Sequence, residues 1–104
     1  MDQITPNELS QRLAAPSAPL VLDVRQPQET QAEGFIAGAL LIPLDQLSAR
    51  VKEIDPAREV VAVCKRGMRS LNAAAFLRQS GRKAQSMTGG MDAWAASGLP
   101  VARR

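Results

Sequence analysis

Three short stretches, residues 19–25 (PLVLDVR), 39–44 (ALLIPL) and 59–64 (EVVAVC), are apolar almost without interruption. A strand with one wet face alternates apolar and polar side chains, so a run that is apolar throughout belongs where both faces are covered. Such strands mark a parallel sheet, whose neighbours must be joined by crossovers, usually helices. The intervening segments supply them. TPNELSQRL has Thr5 as N-cap, Pro6 at the first helical position and Glu8 three residues after the cap, a capping box. DQLSARVKEI sets Leu47, Val51 and Ile54 at helical spacing behind Asp45 as cap. LNAAAFLRQS is a helix whose Ala73, Ala74 and Ala75 allow close packing on a sheet, with Gly81 to end it. AQSMT is a weak last strand, and GGMDAWAASG a short final helix closed by Gly98 and Pro100. The expectation is one α/β domain over residues 1–104, with its ligand beyond the carboxyl ends of the strands.

At 104 residues such a domain buries roughly two thirds of its unfolded surface without disulfides or metals. One cysteine forms no intramolecular disulfide, and no leader pattern or membrane-length apolar run is visible, so the chain reads as soluble and cytoplasmic. There is no histidine, which removes Ser-His and Cys-His nucleophile pairs and His-containing zinc sites. No metal or cofactor is expected. The net charge of +3 is carried mainly by arginine. Single-stranded nucleic-acid binders also need stacking faces, and this chain offers only Phe35, Phe76 and Trp94, so neither nucleic acid nor membrane is an expected partner. A small anionic substrate, or a solvated basic surface, accounts for the charge as well.

The lone cysteine stands where the third apolar run ends and a helix begins, in CKRGMRS, residues 64–70. A thiol there meets unpaired N–H groups and the positive end of a helix dipole, and is expected to ionise more readily than an ordinary cysteine. Gly67 gives the backbone freedom for N–H groups to converge on an anion, and Lys65, Arg66 and Arg69 add positive charge at the rim. The same features fit a plainer reading, in which Cys64 is a small buried hydrophobe and the cations a solvated helix start.

Four motifs carry a resemblance to single-domain rhodaneses of the rhodanese-like sulfurtransferase family. They are LVLDVRQPQE (family D-V-R-x-P-x-E), GFIAGALLIPL (G-H-I-x-G-A-x-x-I-P), VVAVCKRGMRS (C-x-x-G-x-R/T, then Ser) and MTGGMDAWAASGLPV (G-G-x-x-x-W, then G-x-P-V). The resemblance covers nearly all of the chain. It implies a five-stranded parallel sheet flanked by helices on both faces, with Cys64 as sulfur carrier in a loop of Lys65, Arg66, Gly67, Met68, Arg69 and Ser70. A sulfane sulfur from thiosulfate or a persulfide would pass through a Cys64 persulfide to cyanide, a thiol or a protein acceptor. Arg69 would position the anionic donor, which Lys65 and Arg66 would attract. Asp23 and Arg25 are candidates to border the pocket, although in the family they look mainly structural. Trp94, Gly89 and Gly90 would serve packing and a turn, and Met68 is either an apolar lip for an acceptor or a loop side chain without a role. Phe35 replaces the family's histidine, a change that bears on local packing. Other readings remain: a non-catalytic or redox-sensing module built round an exposed thiol, or a cysteine phosphatase or arsenate reductase of the same fold. Those enzymes use Cys-x5-Arg, one residue longer than the spacing of Cys64 and Arg69.

Overall fold

A computed structural model describes residues 2–103. Five parallel strands form one sheet in the order β1-β5-β4-β2-β3: β1 Gln3–Ile4, β2 Leu20–Asp23, β3 Leu40–Leu41, β4 Val60–Val63 and β5 Ala84–Met87. The helices are α1 Pro6–Leu13, α2 Pro27–Glu33, α3 Leu47–Arg50, α4 Met68–Gln79 and α5 Gly90–Ala96. Among the described residues, no helix is long and apolar enough to cross a membrane.

The central strand β4 shows why its run is apolar throughout. Val60 and Ala62 join Leu47, Ile54, Ala73, Ala74 and Leu77 on the α3–α4 face, while Val61 and Val63 join Leu9, Met91 and Trp94 on the α1–α5 face. Both faces are dry, so alternation has nothing to mark. Cys64 continues the first series and is 1% exposed.

The capping box forms as expected: Thr5 Oγ1 accepts from the Glu8 N–H at 3.2 Å and Glu8 accepts from the Thr5 N–H at 2.9 Å. The helix expected behind Asp45 is instead one α turn between two 3-10 turns, Leu44–Gln46 and Val51–Glu53. Pro43 holds the cap position, and Asp45 accepts a hydrogen bond from the Gln26 side chain at 3.1 Å. Leu47 and Ile54 are still buried, because spacing set the burial without requiring one continuous helix. Two elements escaped the apolar pattern. β1 has two residues with one buried side chain, and α2 buries only Thr30.

Candidate active site

β4 delivers Cys64 to the carboxyl edge of the sheet, and the chain turns through residues 65–67 into α4. The turn has Gly67 at φ 104°, a conformation that a side chain would strain, and a Cβ there would stand 3.3 Å from the Gly89 nitrogen. This conformation aims the Gly67 N–H back at Cys64 Sγ, 3.1 Å away, and the Ser70 N–H reaches the same sulfur at 3.3 Å. The first-turn N–H groups of Met68 and Arg69 have no acceptor within α4 and lie on the same positive helix end.

Behind the sulfur is a buried pair of hydroxyls. The thiol donates to Ser70 Oγ at 3.4 Å; Ser70 Oγ donates to the Gly67 carbonyl at 3.2 Å and lies 2.6 Å from Ser86 Oγ on β5. Ser86 was not singled out by sequence reasoning, since one serine in a weak strand carries no signal. The sulfur thus meets the Ser70 hydroxyl, itself backed by Ser86, and two backbone N–H groups.

The loop is braced from the other end of the chain. The first N–H groups of α5 donate to it, Met91 to the Cys64 carbonyl at 2.7 Å and Asp92 to the Lys65 carbonyl at 3.0 Å. A Cβ on Gly90 would run into the Cys64 and Lys65 carbonyls. Gly90 is therefore more than the turn residue of the sequence reading; its bare Cα lets α5 dock on the loop. Trp94 packs on the α1–α5 face, with its indole N–H bound to the Pro100 carbonyl at 2.8 Å.

The rim cations are all engaged. Arg69 meets Glu29 through two hydrogen bonds of 2.6 and 2.8 Å; these hold the Glu29 carboxyl down at about 2, and Glu29 in turn raises the Arg69 guanidinium. Lys65 lies 3.2 Å from both Glu33 and Asp92, and its ammonium is raised by hydrogen bonds to them. Arg66 Nε is 3.5 Å from the other Asp92 oxygen. Arg69, expected to help position an anionic donor, has its fork paired with a carboxylate of α2. Residues Glu29, Glu33 and Asp92 were missed; Glu29 had been visible only as the last letter of a motif.

Asp23 and Arg25 are 0% and 1% exposed and form a buried pair, with Arg25 Nη2 2.7 Å from Asp23 and 2.8 Å from the Gly34 carbonyl. Burial pushes the Arg25 guanidinium down, and the hydrogen bond and charge of Asp23 more than offset it, leaving it raised. This pair fastens the β2 end to the α2 C-terminus, which places Glu33 3.5 Å from Arg25 and beside Lys65. Their contribution to the site is to place α2. Met68, by contrast, is 72% exposed beside the loop. The thiol is not the exposed group that a redox sensor was expected to show.

A separate hollow of about 470 Å³ lies at the opposite, amino end of β4 and β5, lined by Arg12, Arg78, Arg82 and Lys83 with Asp2 and Glu59. Arg12 pairs with Glu59 at 2.9 Å, and Arg78 approaches Asp2 at 3.8 Å.

Residues 5–97 match the model of the rhodanese-like domain. A sulfurtransferase of Allochromatium vinosum is 40% identical over 102 residues, spanning 97% of this chain and 94% of that one. A putative sulfurtransferase of Bacillus subtilis, YtwF, is 33% identical over 92 residues and 88% of each chain. Among solved structures, a rhodanese-related protein from Thermoplasma volcanium superposes with a TM-score of 0.92 at 31% identity, covering 100% of both chains.

Proposed function

Since the chain belongs to the rhodanese-like domain family, and full-length relatives are named sulfurtransferases, we propose that it transfers a sulfane sulfur through a persulfide on Cys64. The observation that carries this reading is the tight convergence of the Gly67 and Ser70 N–H groups on Sγ, in a loop that reaches Arg69 after four intervening residues.

The thiolate attacks the outer sulfur of the donor. With thiosulfate, the donor S–S bond breaks, its electron pair leaves on sulfite, and a new S–S bond gives the Cys64 persulfide anion. Cyanide or a thiolate then attacks the outer sulfur, and the electron pair of that bond returns to Cys64 as thiolate. No general base is needed if the thiol is already ionised, which accords with the absence of histidine. On ionisation, the Ser70 hydroxyl can turn its proton from the Gly67 carbonyl to Sγ while Ser86 donates to Ser70, so the negative charge gains a third donor. A loop one residue shorter than Cys-x5-Arg suits a transferred sulfur atom better than a tetrahedral oxyanion.

Intact mass after exposure to thiosulfate or to a persulfide tests the proposal. A gain of one sulfur atom, removed by cyanide or dithiothreitol, is expected on Cys64. No gain from either donor would leave a module that binds without turnover.

A further inference from the structure

Four cations stand near the thiol, and each has a carboxylate. Arg25, Lys65, Arg66 and Arg69 face Asp23, Glu29, Glu33 and Asp92, so the surround sums to zero charge. The three loop cations come from one segment, while the carboxylates come from the β2 end, α2 and α5. Stability does not explain the Glu33 and Asp92 pairs. The side chains of Glu33 and Asp92 are 41% and 48% exposed, and pairs so open to water contribute little to stability. Their effect falls instead on whatever charge approaches Cys64.

Thiosulfate carries two charges in a compact group, so each rim carboxylate repels it about twice as strongly as a monoanion, and more so where water is excluded. An organic persulfide carries at most one charge on its sulfur and has a carbon substituent that needs uncharged surface. Within residues 64–70, Met68 is the large uncharged side chain left in solvent.

Resting on the sulfur-transfer reading above, we propose that Glu33 and Asp92 are specificity-determining residues: by neutralising Lys65 and Arg66 they turn away inorganic dianions and leave the thiol to organic persulfides, whose carbon substituent lies against Met68. In that reaction the Cys64 thiolate attacks the outer sulfur of R–S–SH. The donor S–S bond breaks, R–S⁻ leaves with its electron pair, and Cys64–S–SH forms, with one negative charge before and one after.

Steady-state kinetics with thiosulfate and with cysteine persulfide test the assignment, for the native chain, Glu33→Gln, Asp92→Asn, the double variant and Met68→Ala. The native chain should prefer the persulfide, and its kcat/KM for thiosulfate should change little with salt, since a balanced rim has no net field to screen. The double variant should raise kcat/KM for thiosulfate at least about tenfold, chiefly through KM and with a new salt dependence, while persulfide turnover stays within about twofold. Met68→Ala should lower kcat/KM for the persulfide about threefold and leave thiosulfate unchanged. A native preference for thiosulfate that falls steeply with salt overturns the assignment without needing any variant to fold. So does a double variant that accelerates both donors equally or neither. Failure of the native chain to move sulfur from either donor would instead sink the sulfur-transfer reading itself.

Discussion

The two ends of the sheet use their cations differently. At the carboxyl end, four cations meet four carboxylates around Cys64. At the amino end, Arg12, Arg78, Arg82 and Lys83 surround a hollow with only Asp2 and Glu59 to oppose them. Among the described residues the hollow thus has two more cations than carboxylates, whereas the surround of Cys64 is balanced. The basic composition left open an anionic substrate or a solvated basic surface; the arrangement sets the basic hollow apart from Cys64, and net charge alone gives no guide to where a substrate binds.

The largest expected effect lies at the carboxyl end. Cys64→Ser should lower sulfur transfer by more than about a thousandfold and leave the fold intact, because a hydroxyl fits the cradle but is not ionised and holds no persulfide. Residual turnover within tenfold of the native rate would mean that another group carries the sulfur.

Gly90→Ala comes next. Its Cβ meets the Cys64 and Lys65 carbonyls and its φ is 62°, so a loss of about 3 kcal/mol is expected, some 10–20 °C in melting temperature for a domain this size. Lys83→Ala, in the amino-end hollow, should cost less than about 0.5 kcal/mol. Equal losses from the two would erase the contrast between a braced end and an open one.

Glu29→Gln should produce a smaller change with a distinctive pH dependence. The Arg69 hydrogen bonds depress the Glu29 carboxyl from 4.5 to about 2, so its contribution is complete above about pH 4.5 and is lost as pH falls towards 2. After allowance for partial exposure, the native chain should exceed the variant by about 1–2 kcal/mol at pH 7, and the gap should close below pH 4.5. Urea midpoints measured from pH 7 to pH 3 would show it; a gap constant over that range would remove the ion pair as its cause.

The smallest effect is expected at the amino end. Arg12→Gln with Lys83→Gln removes two positive charges from the hollow and should leave kcat/KM for any sulfur donor within about twofold. A tenfold fall would show that the two ends act together after all.

The parts of this molecule that sequence made legible were those with one dominant physical cause. β2 and β4 are buried on both faces and read as apolar runs; α1 is announced by its capping box; the thiol is marked by its place between strand and helix. What escaped was decided by partners distant in sequence. β1 is a strand only because β5 pairs with it, 83 positions later at Gln3 and Ser86. α2 has no apolar stripe because its part in the site is polar, holding Glu29 and Glu33 against a loop that begins at Cys64. The loop's backbone geometry was legible, but its electrostatics were legible only in part, since CKRGMRS shows its cations and hides the carboxylates paired with them.

The brace from α5 sets an order of events as the chain is made. Cys64 leaves the ribosome well before Met91 and Asp92, whose N–H groups hold the carbonyls on either side of the turn. At about 5–20 residues per second, that leaves the sulfur on an unbraced segment for some 1–6 s. Ser86, behind the thiol, and β5, which admits β1 to the sheet, arrive in the same late segment. The order of synthesis thus presents Cys64 before the groups that hold its loop, and the cradle is complete only when α5 docks.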